Sequence, residues 1–389
     1  MVYLDYNAST PVDQRILSAV AEATDAFANA ASSHHAAGRA AADLIEEARG
    51  RVASLVGRGM QDVLFTSGAS EGATLGLLGL MLGAPDRPNV VVSATEHKAI
   101  MAAAELGARL SGGEVRRIRV DTDGLVDLEM LDDRVDESVA AVVVMAANNE
   151  TGVVSPIPQV ARVAQLAGAL CFIDATQLVG KGSFTDVTRV ADLMVFSSHK
   201  MYGPKGAGAL IVSRQVQKAM VPISAGGGQE RGLRGGTQNT ASIAGFGLAA
   251  ELAAKEQMSD SVRIGRLSND LLNALCDEPG DVQLNGGEAQ RLTNTLNLRF
   301  VGADADAVMA SMPDVMVSSG SACQSSVPSP SHVLLAMGLT AAEASESLRI
   351  SLGRPTTREE VEVAASKIAQ AVNRVRDLTA DKGSRHDDA

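Results

Sequence analysis

The sequence predicts an α/β fold built on a mainly parallel sheet, followed by a smaller α+β C-terminal part. Two observations carry that reading. Between about residues 60 and 215, short and nearly continuous apolar runs alternate with helical patterns, as strands buried on both faces and joined by crossover helices should. Polar residues gather just after those runs, where open α/β sheets bind ligands.

In chain order the runs are residues 62–65, 89–92, 140–145, 170–173, 193–196 and 208–212. Segments such as 159–168 supply crossover helices. The stretch 225–237 is too rich in glycine and too long to be only a turn. A helix is expected over 241–255, with a domain boundary near 256. Beyond it lie a strand at 294–300 and a closing helix over 358–378, whose start carries the capping-box pair Thr357 and Glu360. No internal repeat interrupts this order.

The 389 residues suffice for about two domains. With 46% apolar and 21% charged residues, the chain is not disordered. Lys and Arg number 34 against 46 Asp and Glu, a net charge of −12 that argues against a groove binding nucleic acid directly. The longest uncharged apolar stretch, 72–84, is short of the ~20 residues of a membrane span, and the N-terminus lacks the pattern of a signal peptide. A cytoplasmic protein is expected. The three cysteines make no metal-binding pattern. Cys171 and Cys276 lie in apolar or helical segments and are expected in the core. Cys323, among small residues before a Ser/Pro-rich stretch, has the setting of an exposed, reactive thiol on a mobile loop.

Lys200 follows an apolar run, where partial desolvation lowers an amine's pKa and makes it a nucleophile. Asp174 ends the neighbouring run. A carboxylate there can hold a proton on a pyridine nitrogen, as a pyridoxal phosphate site requires. Ala69 and Ser70 open a helix whose N–H groups and hydroxyl suit a phosphate. His97 could stack on a flat ring and carry protons. Arg349, inside an alternating apolar segment, needs a partner that a substrate carboxylate could supply. Taken singly these residues have ordinary explanations: a surface lysine, a helix cap, a short turn, a structural histidine, a structural ion pair. Arg354 reads as structural. The combination is much harder to dismiss.

These segments resemble the pyridoxal-phosphate-dependent cysteine desulfurases of the NifS/IscS type in the class V aminotransferase family. The resemblance runs from Tyr3–Pro11 through His35–Arg39, Thr95–Lys98, Asn148–Gly152, Asp174–Gln177, His199–Lys200 and Gly226–Thr237 to Ser318–Cys323 and Leu348–Gly353. The Ser-Ser-Gly-Ser-Ala-Cys form looks like the group I branch. The resemblance implies a fold-type I homodimer, with residues 13–256 as the large cofactor-binding domain. Residues 1–12 and 257–389 would form the small domain that carries Cys323. It implies that Lys200 binds the cofactor covalently, that Asp174 pairs with its ring nitrogen, that Gln177 meets its ring hydroxyl and that His97 stacks on it. Ala69, Ser70, Ser197 and His199 would hold the phosphate, with Thr237 supplied by the second subunit. Asn149, near the cofactor, and Arg349 would hold the carboxylate of L-cysteine. Cys323 would take its sulfur and pass it to an acceptor protein. Ser198 and Gly235 depart from the usual residues without removing a catalytic group. A C–S or selenocysteine lyase on the same scaffold, which could dispense with Cys323, and a non-enzymatic sulfur-transfer scaffold are the other readings.

Overall fold

The computed structural model describes residues 1–319 and 330–384, so Cys323 lies outside the described residues. Strand β1 (Val2–Tyr3) opens the chain. The central sheet contains β2 (Val63–Thr66), β3 (Asn89–Ser93), β4 (Val115–Ile118), β5 (Val139–Met145), β6 (Leu170–Asp174), β7 (Leu193–Ser197) and β8 (Gly208–Val212). Their spatial order is β2-β8-β7-β6-β5-β3-β4. The strands pair in parallel except at β8, which runs antiparallel to both neighbours. All the expected runs form strands. The strand the pattern missed is β4, whose Arg116 and Arg117 give it no apolar run. It is an edge strand, and charge on an edge discourages unwanted pairing.

Close packing positions the end of the sheet that matters. A Cβ on Gly208 would lie 2.6 Å from the Gly68 Cα, so only glycine lets β8 begin against the turn that follows β2.

The C-terminal part adds β9 (Val282–Leu284), β10 (Thr295–Phe300), β11 (Val315–Met316) and β12 (Ser347–Ser351). The order β12-β10-β9 makes an antiparallel sheet, and β11 pairs in parallel with β1. The closing helix spans Arg358–Ser384, and the capping-box bonds of Thr357 and Glu360 are both made, at 3.0 and 3.2 Å.

The helix expected over 241–255 is in fact one of 38 residues, Thr240–Asp277, and the boundary expected near 256 falls inside it. Its first half contributes Ile243, Phe246 and Ala250 to the core that packs on the large sheet. Its second half contributes Ile264, Leu267, Leu271 and Leu275 to another core, with Leu298, Phe300, Ile350 and Val372. A continuous helix can serve two cores because its apolar face is periodic throughout, which hides a boundary from sequence inspection. Cys276 corrects an expectation: it is exposed, because Leu271 and Leu275 take the core-facing side and the next residue turns away. Cys171 is buried, and burial pushes its thiol up to about 12, so it is inert.

The glycine-rich stretch is anchored by Glu230. Its carboxylate accepts from Arg49 Nη1 and Nη2 at 2.9 and 3.0 Å and from the Phe65 N–H at 2.9 Å, and both charged side chains are buried. Breaking a buried pair strands one charge without solvent. Glu230→Gln is therefore expected to lower the unfolding free energy by about 3 kcal/mol in chemical denaturation. A loss under about 1 kcal/mol would contradict this anchoring role.

Among the described residues no helix is long and apolar enough to cross a membrane, and no group of His, Cys, Asp and Glu could hold a metal ion.

Candidate active site

The carboxyl ends of β3, β5, β6 and β7, with the turn after β2, meet at a cavity of about 570 Å³. Residues from the N-terminal segment, β12 and the start of the helix His332–Ala336 close it. Ala69, Ser70, His97, Asn149, Asp174, Gln177, Ser197, His199, Lys200 and Arg349 all line it. Thr237 does not: it is exposed, away from this cavity.

Local structure explains several placements. β6 ends at Asp174, whose buried carboxylate accepts from the Thr176 N–H at 2.9 Å. β7 ends at Ser197, whose hydroxyl accepts from the Ala69 N–H at 2.8 Å and so ties the start of the helix Ala69–Gly83 to the neighbouring strand end. That helix offers its N-terminus to the cavity, the usual place for an anion. His97 caps the helix Lys98–Ser111, its Nδ1 accepting from the Ala99 N–H at 3.1 Å. Lys200 follows in the short turn Ser198–Lys200. Its Nζ donates to the carbonyls of Asn7 and Ala8, the latter at 2.8 Å. Immediately after it, Tyr202 adopts a left-handed φ of 66°. Thr10 and Arg354 hold it there, through bonds of 2.9 Å to its N–H and 2.5 Å to its hydroxyl. Arg354 also pairs with Asp260 at 2.7 Å and Asp13 at 3.2 Å, a structural role as expected.

The electrostatics favour amine chemistry. Burial, reinforced by the nearby Arg349 cation, brings the Lys200 amine down to about 8. Burial and the Lys200 charge bring His199 down to about 4, so it is neutral near pH 7. Enclosure also lowers His97. Arg349 sits on β12, buried, with Nη2 on Asp5 at 2.6 Å and Nη1 on the Asn149 carbonyl at 3.2 Å. Its ion-pair partner is thus Asp5, yet Nε is buried with no hydrogen-bond partner among the described residues.

Residues outside the motif reading also shape the site. The Asn7 carbonyl accepts from both Lys200 and Gln177. Lys181 donates to the Gln177 side chain. Glu96, fully buried, accepts from the Met145 N–H, and its other oxygen has no partner among the described residues. Burial, with Asp174 nearby, pushes its carboxyl well above the usual range. His332 lines the cavity with Nε2 on the Glu96 carbonyl at 2.9 Å. One signal was available for Lys181, its i,i+4 spacing from Gln177. None marks Asn7 as a hub, because its contacts come from segments distant in sequence.

These features suit pyridoxal phosphate: a desolvated amine, a buried carboxylate, a helix N-terminus, and two buried polar atoms in the cavity wall, Thr176 Oγ1 and Arg349 Nε, that have no partner among the described residues. The amine also sets a pH dependence. Only the neutral amine attacks a carbonyl, and raising pH through about 8 deprotonates Lys200. Covalent capture of pyridoxal phosphate by the cofactor-free protein should therefore accelerate up to about pH 8 and level off above it. An ordinary lysine would keep gaining to about pH 10.4. Rates of appearance of the visible band across pH check this, and a rate still climbing at pH 10 would contradict it.

The aminotransferase class-V family matches residues 2–363. A relative from Frankia sp. (strain EuIK1), named cysteine desulfurase, is 48% identical, covering 97% of this chain and 93% of its own length. Among solved structures, a NifS-like protein superposes with a TM-score of 0.86 at 31% identity, covering 96% of this chain and 99% of that one. Another, SspA in complex with cysteine, gives 0.80 at 32%, covering 90% and 99%. With the match spanning both parts of the fold and the whole cavity, this chain belongs to the class-V aminotransferase family, in its cysteine desulfurase group.

Proposed function

We propose that the protein is a pyridoxal-phosphate-dependent cysteine desulfurase. It converts L-cysteine to L-alanine and leaves the sulfur as a persulfide on Cys323 for transfer to an acceptor protein. The observation that carries this reading is the convergence of the Lys200 amine, the Asp174 carboxylate and the Ala69–Gly83 helix N-terminus on one cavity. When bound, the cofactor supplies an electron sink for the substrate's Cα carbanion.

This chain's own residues do the rest. Lys200 would hold the cofactor through its amine and would serve as the base for the substrate's Cα proton. Asp174 would pair with the ring nitrogen and keep its proton, His97 would lie against the ring, and Gln177 would face the ring oxygen. Ala69, Ser70, Ser197 and His199 hold the phosphate. Arg349, through the unpartnered Nε, and Asn149 hold the substrate carboxylate. The Cys323 thiolate attacks the substrate sulfur: an S–S bond forms, the C–S bond breaks, and its electron pair stays on carbon, which is then protonated to give alanine.

In this reading residues 13–256 form the cofactor domain, and residues 1–12 with 257–389 form the domain bearing Cys323. The enzyme is a cytoplasmic homodimer. The exposed position of Thr237, outside its own chain's cavity, supports its service to the second subunit's phosphate. The superposition on SspA in complex with cysteine supports the choice of substrate.

The test is to incubate the cofactor-loaded protein with L-cysteine, without reductant, and to quantify alanine, pyruvate and bound sulfur. Alanine with one persulfide mapped to Cys323 is expected. Pyruvate and ammonia with no persulfide would replace the reading with a β-eliminating lyase.

A further inference from the structure

We propose that Lys181 is a positioning residue that locks the Gln177 amide so that the cavity meets its N–H groups rather than its oxygen. The inference deepens, and rests on, the cofactor reading above.

Two contacts fix the amide from opposite ends. Lys181 Nζ donates to Gln177 Oε1 at 2.5 Å and to Asn7 Oδ1 at 2.9 Å. Gln177 Nε2 donates to the Asn7 backbone carbonyl at 3.0 Å, and a carbonyl can only accept. Asn7 is itself rigidly held. Its N–H meets Ser351 Oγ at 2.9 Å, its Nδ2 meets Thr295 Oγ1 at 2.9 Å, and its Oδ1 accepts from Asn294 Nδ2 at 3.1 Å.

One Gln177 N–H is thereby used, and the second is left for a group in the cavity. Whatever binds beside it must present an acceptor, and the ring oxygen of pyridoxal phosphate in its anionic form is such a group. Burial holds the Lys181 amine well below the ordinary lysine range, with Lys200 and Arg349 adding repulsion. The amine has an N–H bond for each of its two acceptors, Gln177 Oε1 and Asn7 Oδ1. Lys181 therefore acts through hydrogen bonds to Gln177 and Asn7.

The charged and titratable groups around this corner are Lys200, Arg349 and His199, with Asp174 and Asp5 acting on Lys200. Lys181 itself acts on His199, and the Gln177→Leu background separates that effect, which it leaves in place, from the effect through the amide. Without Lys181 the Gln177 amide is free to turn, and the anionic ring oxygen loses a donor. Losing a hydrogen bond to the deprotonated form raises the pH at which that form appears.

The experiment titrates the visible band of the cofactor-loaded protein against pH in the wild type, Lys181→Met, Gln177→Leu and the double variant. Lys181→Met is expected to raise the midpoint by about one pH unit, and to cause no further rise when Gln177 is already leucine. Lys181→Arg, which keeps N–H donors in place and serves should the methionine variant not fold, is expected to titrate with the wild type. A Lys181→Met midpoint equal to wild type, an undiminished shift in the Gln177→Leu background, or a full shift in Lys181→Arg would overturn the inference. A wild-type protein with no visible band at all would overturn the cofactor reading itself, an outcome distinct from a band that fails to move.

Discussion

Replacing Lys200 with alanine is expected to lower the rate of alanine release from L-cysteine by at least about 10³-fold, because in the proposed reaction the variant would lose both the covalent hold on the cofactor and the base at Cα. The fold should survive. Among the described residues the Lys200 side chain bonds to the carbonyls of Asn7 and Ala8, and those can be hydrated in its absence. Two measurements check this: turnover under saturating cysteine, and retention of the cofactor after borohydride reduction and denaturation, which should be lost in the variant. Activity within tenfold of wild type would remove Lys200 from the chemistry. The lowered pKa of about 8 makes the same point from the other side. A lysine held there is half neutral at pH 8 and can exchange between cofactor and proton, which an exposed lysine near pH 10.4 does far less readily.

Asp174→Asn is expected to reduce kcat by about 10³-fold with KM changed little, since the role concerns charge that develops during reaction rather than ground-state binding. The substitution is close to isosteric. An asparagine oxygen can still accept the Thr176 N–H, so the buried strand end keeps its hydrogen bond and the melting temperature should stay near wild type. What asparagine cannot do is hold a proton on a pyridine nitrogen as an ion pair. The informative comparison is kcat against thermal stability. A large loss of both would indicate a structural role for Asp174, and retained kcat would dismiss it as the ring's partner.

Much of the fold and of the site can be read along the chain. β5 and β6 are legible because strands buried on both faces must be apolar almost without interruption, and every residue of β5 is buried. β4 is not, because an edge strand can carry Arg116 and Arg117 without cost. The continuous helix Thr240–Asp277 is legible as a helix but not as a bridge between two cores, since both halves show the same period. Cys276 shows the finer failure: a helical setting says that a residue is near the core, and only the helix's rotation says whether it points in.

By itself, the sequence determined which residue types stand at the carboxyl ends of the strands: Asp174, Ser197, Lys200, the Ala69–Ser70 turn and His97. That follows because strand ends are local features, marked where an apolar run stops. Only the tertiary structure decided their partners. The N-terminal segment places Asn7 between Lys200 and Gln177, and β12 brings Arg349 to Asp5 and Asn149. Lys181 turns its amine onto the Gln177 amide. The physical reason is that a hydrogen bond depends on where two atoms lie in space. Most of these atoms come from segments more than a hundred residues apart, brought together by packing that no local pattern encodes.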